Sequence, residues 1–140
     1  MELIFTKEIN SVLSEVSNLV ILVVQNLKML NINNSALADI EIALAEALTN
    51  IVKHGYNYEN NHKIELALYK LEKNIILEIT DYSDEVKINF NKKLDYDPKD
   101  TDSLPEGGMG LYLMNHCMTS LNLKRIDNKN ILTMIKKYEK

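Results

Sequence analysis

The chain has 140 residues, of which 46% are apolar and 26% are charged, and 20 acidic against 16 basic side chains give a formal charge of −4. This length and composition predict one folded domain over residues 1–140 and exclude a disordered chain, while the single cysteine, Cys117, excludes a disulfide framework. The dispersed basic residues argue against a nucleic-acid partner, and the longest apolar run is too short to cross a bilayer as a membrane anchor.

The first part of the chain predicts a strand followed by two helices. It begins without the basic segment and cleavage site of a secretory signal, so we expect a cytoplasmic protein. After a short strand at residues 2–6, apolar residues recur every three or four positions from Glu8 to Leu30, which predicts a long amphipathic helix. Ser35 is placed to cap a second helix over Ala36–Lys53, and Gly55 is placed to end it.

Most of the remaining regular segments are predicted to be antiparallel strands. Alternating apolar side chains mark residues 64–68 and 75–79, and the turn at residues 72–74 joins them as a hairpin. A second pair of short strands, joined by a polar turn, is predicted at residues 121–126 and 131–138.

A long polar segment and a third helix separate the two strand pairs. Residues 82–106 are rich in Asp and Lys, and a loop of this length in a compact domain is typical of a functional lid. A helix over residues 111–121 follows. Helices on one face of a mostly antiparallel sheet predict an α+β fold, a two-layer α/β sandwich.

The second predicted helix carries the first group of candidate site residues. Glu46, Asn50 and His54 follow one another at intervals of four, which predicts that they share a helix face. A carboxylate and an amide in an otherwise small and apolar stretch can share Mg²⁺, because that ion prefers oxygen ligands. The alternative is that Glu46 and Asn50 lie at the solvent edge of an amphipathic helix.

Asp81 is the second candidate. Counting by two from Ile75 through Ile79 gives Asp81 the core-facing parity at the end of a strand. A carboxylate in that place needs a partner, since burying an unpaired polar group costs on the order of 2–7 kcal/mol. An adenine amino group and a backbone N–H after a twist of the chain are the two partners that this parity allows.

Three glycines form the third candidate group. Gly107, Gly108 and Gly110 immediately precede the third predicted helix. Glycines let the backbone approach a ligand closely, and the free N–H groups at a helix N-terminus attract phosphate. A hinge after Pro105 would have the same sequence pattern.

In this order and spacing, the candidates resemble the motifs of the GHKL ATPase superfamily, above all its short anti-sigma-factor serine/threonine kinase branch of the RsbW and SpoIIAB type. The segment from Glu46 to Tyr56 is similar to the N-box of that family, and the segment from Glu78 to Tyr82 to the start of its G1 box. The segment from Glu106 to Met114 is similar to its G2 box, and Ile131–Met134 to its final strand.

The resemblance implies a Bergerat-type, histidine kinase-like ATPase fold that binds ATP and Mg²⁺. Glu46 would position or activate the nucleophile, Asn50 would bind Mg²⁺, and His54 would stand near the phosphates. Asp81 would accept a hydrogen bond from the adenine amino group, with Thr133 in support. The backbone cradle for the phosphates would come from Gly107, Gly108 and Gly110.

The same resemblance implies a protein kinase that phosphorylates a small antagonist (anti-anti-sigma) protein and sequesters a sigma factor or another regulator. A homodimer is expected, and the apolar first helix offers a surface for it. Three residues depart from the family pattern. Ser83 stands where the G1 box usually has glycine, Glu85 stands where it often has glycine or proline, and Glu106 stands where a basic residue is common. These departures leave open a non-catalytic module that binds nucleotide or sequesters partners.

Overall fold

The computed structural model describes residues 1–84 and 109–139. Within these residues, the strands form one antiparallel sheet in the order β1-β2-β3-β5-β4. The strands are β1 (Glu2–Asn10), β2 (Lys63–Leu71), β3 (Asn74–Asp81), β4 (Ser120–Ile126) and β5 (Lys129–Lys137). The helices are α1 (Leu13–Lys28), α2 (Asn34–Asn50) and α3 (Met109–Cys117), and a π-helical turn, Ile51–Gly55, continues α2.

The core lies between the helices and one face of the sheet, which we call the covered face. Apolar residues spaced by three and four along α1 and α2 pack onto alternate residues of the central strands. We call the opposite face, which carries no helix of the described residues, the open face. The predicted α+β two-layer sandwich is confirmed. The largest fully buried side chains are Leu19, Leu27, Ile40, Leu44, Leu48, Ile64, Leu66, Leu68, Ile75, Leu77, Ile79 and Met134.

The first predicted boundary is wrong, because β1 runs to Asn10 and α1 begins only at Leu13. Ile9 fits the helical pattern because it lies three residues before Val12. In the structure it is a buried strand residue paired with Ile64. Ile9 fits both the helical spacing of three or four residues and the alternation of a strand, and its pairing with β2 makes it a strand residue.

The predicted cap of α2 is also wrong. The N-cap residue is Asn33, which makes no side-chain capping hydrogen bond, and Ser35 lies inside the first turn. At the other end, the π-helical turn carries the helical path to Gly55, beyond the predicted end at Lys53. The third helix ends at Cys117 rather than at residue 121, because the chain enters β4 at Ser120.

The apolar stripe of α1 is used inside the molecule. Val16, Leu19, Val20, Val23 and Leu27 are buried in the protein's own core. These five residues are therefore not available for a dimer surface, and the expectation that the first helix takes part in a homodimer stays a prediction. Within residues 1–84 and 109–139, no helix is long and apolar enough to span a bilayer. The predicted lid lies outside the described residues from residue 85 onward.

Candidate functional site

Glu46 and Asn50 lie one turn apart near the end of α2, and the start of α3 packs directly on both. A Cβ atom placed on Gly110 would lie 2.7 Å from Glu46 Oε2 and 3.4 Å from Asn50 Nδ2. The backbone of α3 can approach these side chains so closely only because residue 110 has no side chain. Two of the three predicted groups therefore meet in the structure.

His54 is not joined to this group by a described contact. It lies on the π-helical turn with an exposed side chain. A π-helical turn holds more residues than an α-helical one, so an interval of four no longer returns to the same face. The other members of the third group, Gly107 and Gly108, lie outside the described residues, as do Glu85 and Glu106.

Asp81 ends β3 on the covered face, as its parity predicted, and is only 5% exposed. Its Oδ1 accepts hydrogen bonds from the Ser83 backbone N–H at 3.0 Å, from Ser83 Oγ at 2.5 Å and from Asn130 Nδ2 at 3.0 Å. One of the two predicted kinds of partner, a backbone N–H after a turn of the chain, is thus present. Within residues 1–84 and 109–139, the hydrogen bonds to the Asp81 carboxylate all go to Oδ1.

Ser83 fits the turn that the family pattern assigns to glycine. In the described part of the chain, the non-glycine residues with positive φ are Asn31, Asn57, Tyr58, Glu72, Asp127 and Asn128, so Ser83 is not strained in this way. A Cβ atom on Gly55 would lie 2.9 Å from Ser83 Oγ. The glycine at the end of the π-helical turn therefore provides the space that the Ser83 side chain occupies.

Tyr56 anchors the same turn from the other side and was missed as a site residue by the sequence analysis. Its buried hydroxyl donates to the Lys63 carbonyl at 2.8 Å and accepts from the Tyr82 N–H at 2.7 Å. Burial raises the pKa of Tyr56, and the nearby charges of Asp81 and Glu65 raise it further, while the bond from Tyr82 N–H acts in the opposite direction. The hydroxyl is therefore protonated at neutral pH and able to donate. In the sequence, Tyr56 stands directly after Gly55 at the end of the segment that resembles the N-box.

Asn130 is a second residue that the sequence analysis missed. It lies opposite Asp81 in the β3–β5 register and is only 2% exposed. Its neighbour in the β4–β5 register is Arg125, whose guanidinium donates to Asn130 Oδ1 at 3.0 Å. The sequence offered Asn130 only as a turn residue, and nothing there indicated that it meets Asp81.

Thr133 does not lie beside Asp81. Asn130 shares the covered face with Asp81, so Thr133, three residues further along β5, points to the open face. There it is opposite Glu78 on β3 and Asn122 on β4. The expected support of Asp81 by Thr133 is therefore not possible in this register, and Asn130 occupies the neighbouring place instead.

The two parts of the site offer different chemistry. The Glu46 carboxylate and the Asn50 amide are oxygen ligands of the kind that Mg²⁺ prefers, and a carboxylate can also orient or deprotonate a hydroxyl. Asp81 offers an oriented acceptor inside the core. Among the described residues, no group of three or more His, Cys, Asp or Glu side chains is placed to hold a metal ion.

Comparison with known proteins identifies relatives over most of the chain. The family described as histidine kinase-like ATPase domain matches residues 9–136. The serine-protein kinase RsbW of Bacillus velezensis is 33% identical over 105 residues, which cover 71% of this chain and 63% of that protein. The RsbW of Bacillus subtilis is 34% identical over 101 residues, which cover 69% of this chain and 60% of that protein. The chain thus spans less than two thirds of the length of these curated relatives.

A solved structure shows the same fold. The crystal structure of the RsbU and RsbW domains of a Mycobacterium tuberculosis protein superposes with a TM-score of 0.68, covering 96% of this chain and 31% of that one. The sequence identity is 14%, so this likeness supports the fold alone.

Proposed function

This chain belongs to the histidine kinase-like ATPase family, and we propose that it is an ATP-binding serine/threonine protein kinase of the anti-sigma type. It phosphorylates a small antagonist protein and sequesters a sigma factor or a similar regulator, and it acts in the cytoplasm. The observation that carries the proposal is the packing of Gly110 directly on Glu46 and Asn50. Similarity to the RsbW serine-protein kinases supports the choice of reaction.

The nucleotide binds between two anchors in this proposal. Asp81 accepts a charge-assisted hydrogen bond from the adenine amino group through its Oδ2. Gly107, Gly108 and Gly110 bring backbone N–H groups to the phosphates. We propose that His54, exposed on the π-helical turn, reaches the phosphates from outside this group and adds a hydrogen-bond donor. Asn50 holds Mg²⁺, which neutralises charge on the phosphate oxygens when it is bound.

Glu46 acts on the protein substrate. Its carboxylate orients the serine or threonine hydroxyl and accepts the hydroxyl proton, while the new bond forms between the hydroxyl oxygen and the γ-phosphorus. The bond from that phosphorus to the oxygen of the leaving ADP breaks in the same displacement. Positioning does most of the work in such a transfer, so the close contact with Gly110 matters for the location of the carboxylate.

Calorimetric titration with ATP, with and without Mg²⁺, tests nucleotide binding. Asp81→Asn should weaken binding roughly 10- to 150-fold in both conditions, because it removes the charged acceptor. Asn50→Ala should weaken binding chiefly when Mg²⁺ is present. Asp127→Asn, in the exposed β4–β5 turn, is the control and should bind like wild type. Wild-type protein that binds no ATP at millimolar nucleotide would refute the proposal.

Phosphoryl transfer is tested with labelled ATP and small candidate antagonists encoded beside the gene. We expect Mg²⁺-dependent labelling of a serine or threonine on one antagonist, and no labelling with Glu46→Ala. Absence of transfer to every such candidate under all Mg²⁺ conditions would contradict the kinase assignment.

The second candidate function is a non-catalytic module that binds nucleotide and sequesters partners. It is favoured by the turn after Asp81, where Ser83 and Asn130 already occupy one oxygen of the carboxylate. A cell-based test separates it from the kinase. If Glu46→Ala leaves partner regulation intact while ATP still binds, catalysis is dispensable and the module is the better description.

The proposed assembly is a homodimer formed by the open face. Leu3, Tyr69, Ile76 and Ile135 stand opposite one another in the register of four neighbouring strands, so they form one apolar row across that face. Leu3 is 53% exposed, and the other three are partly exposed. Sedimentation should give a dimer at micromolar concentration and a monomer for Ile76→Lys. A wild-type monomer would contradict this assembly.

A further inference from the structure

The acid at the end of β3 is held by a residue that faces it across the sheet. Asn130 Nδ2 lies 3.0 Å from Asp81 Oδ1, 3.2 Å from the Ser83 carbonyl oxygen and 3.1 Å from the Asp84 carbonyl oxygen. The amide is only 2% exposed, so these contacts are formed away from water. Asn130 therefore ties the carboxylate to the backbone turn that follows it.

Arg125 determines which way this amide points. It is the only arginine of the chain, and one of its guanidinium nitrogens donates both to Asn130 Oδ1 at 3.0 Å and to the Ser83 carbonyl oxygen at 3.1 Å. A guanidinium has donors and no acceptor, so the oxygen of the amide must face Arg125. The NH₂ group must then face Asp81, and a flipped amide would lose bonds at both ends.

The result is a carboxylate with one occupied oxygen and a restricted rotation. Oδ1 receives three donors, from Asn130 and from two atoms of Ser83. Turning the carboxylate would break these bonds inside the core, where unpaired polar groups are costly. The lone pairs of Asp81 Oδ2 therefore point in a fixed direction.

From this geometry we propose that Arg125 and Asn130 are positioning residues that fix the direction of Asp81 and so set a preference for 6-amino over 6-oxo purine nucleotides. The inference depends on the proposed function, since it needs a purine at Asp81. A 6-oxo purine presents an acceptor where adenine has a donor, and a fixed carboxylate repels it. A carboxylate that can turn would reach the neighbouring ring N–H and accept the 6-oxo base better.

The test compares ATP with inosine triphosphate by calorimetric titration of the full chain with Mg²⁺. Wild type should prefer ATP by about tenfold or more. Asn130→Ala should reduce the ratio of ATP affinity to inosine triphosphate affinity by about fivefold. Arg125→Ala should reduce this ratio less, because Arg125 acts through Asn130. Arg125→Lys, which keeps a donor, should recover part of the ratio. Lys124→Ala is the matched control, since Lys124 faces the open face on the same strand.

A positioning role and a purely structural one give different results. If Asn130→Ala and Arg125→Ala weaken both nucleotides in parallel and leave the ratio unchanged, the inference is overturned while the proposed function stands. If wild type binds neither nucleotide, the inference and the proposed function are both refuted. Arg125 is exposed, so Arg125→Ala keeps the test decisive should Asn130→Ala fail to fold. Without nucleotide, amide hydrogen exchange at Ser83 should be faster in Arg125→Ala than in Lys124→Ala, and equal rates would overturn the inference.

Discussion

The two ends of the candidate site are held in different ways. Asp81 is buried, and its Oδ1 alone receives three hydrogen bonds from the protein. Glu46 and Asn50 are only partly buried, and within the described residues neither side chain makes a hydrogen bond. Their position is instead set by close packing against Gly110.

This difference follows from burial. A carboxylate in the core must be paired, so the fold supplies donors to Asp81 and thereby fixes it before any ligand arrives. Partly buried side chains keep contact with water and need no protein partner. The close approach of Gly110 makes the positions of Glu46 and Asn50 sensitive to a change of shape at residue 110. Support by hydrogen bonds and support by packing can be told apart with substitutions that change a charge, fill a space or remove a single hydrogen bond.

The largest effect is expected from Glu46→Gln. It keeps the size of the side chain and removes its ability to accept a proton, so phosphoryl transfer should fall by about 10²- to 10⁴-fold. ATP affinity should change little, since the proposed role of Glu46 is in the transfer step. Transfer rates and calorimetric affinities, measured beside Glu41→Gln on the exposed side of α2, check this. Loss of ATP binding in Glu46→Gln would instead make Glu46 a nucleotide ligand.

Gly110→Ala tests the support by packing. Its Cβ would lie 2.7 Å from Glu46 Oε2, so either the carboxylate or α3 must move. A displacement of about 1 Å can cost a reaction on the order of 10²-fold, and we expect a loss of transfer of that size. Asn115→Ala, at an exposed site on α3, is the control for changes to the helix itself. Wild-type transfer rates in Gly110→Ala would mean that the close contact has no catalytic role.

The fold could be predicted from the sequence because its elements have regular periods. Spacing of three and four identified α1 and α2, and alternation identified the strand pairs. The errors lie where two rules compete, as at Ile9, whose place fits both periods, and at Ser35, where Asn33 precedes the helix instead. Such boundaries depend on pairing with distant strands, which local spacing does not contain.

The candidate site could be predicted only where its residues belong to a regular hydrophobic pattern or to a recognisable sequence motif. Alternation correctly placed Asp81 on the covered face. The same alternation in β5 separates Thr133 from the buried Leu132 and Met134, whereas the motif resemblance placed Thr133 beside the adenine. Asn130 and Tyr56 could not be found in this way, since their roles arise from the strand register and from the end of the π-helical turn.

The contact between Gly55 and Ser83 gives a smaller effect, on stability. Gly55→Ala would place a Cβ 2.9 Å from Ser83 Oγ and should lower the free energy of unfolding by about 1–3 kcal/mol through overpacking. Ser83→Gly should restore part of this loss in the double variant, because it removes the side chain that the new Cβ meets. Denaturant unfolding of both single variants and the double variant measures the coupling. Strictly additive losses would show that the two residues do not compete for this space.

The smallest effect concerns the Tyr56 hydroxyl and its dependence on pH. Tyr56→Phe removes the bonds to Lys63 and Tyr82 and should cost about 0.5–1.5 kcal/mol at neutral pH. Burial, followed by the charges of Asp81 and Glu65, raises the pKa of Tyr56 above its unfolded value, so the folded state favours the protonated form. That contribution is complete below about pH 10, the unfolded pKa of tyrosine, and is lost as pH rises through the higher folded value.

The stability difference between wild type and Tyr56→Phe should therefore narrow on the alkaline side. Unfolding of wild type and Tyr56→Phe measured from about pH 8 to about pH 11 checks this. A parallel measurement on Tyr82→Phe is needed, because Tyr56 also contributes to the raised pKa of Tyr82. Tyr82→Phe is the surface comparison. The pKa of Tyr82 is also raised, chiefly by its hydrogen bond to Glu65. Because the Tyr82 ring is exposed, water screens this effect, and the stability difference between wild type and Tyr82→Phe should narrow less. If the difference in the free energy of unfolding between wild type and Tyr56→Phe stays constant with pH, the protonated Tyr56 hydroxyl does not stabilise the turn after Asp81.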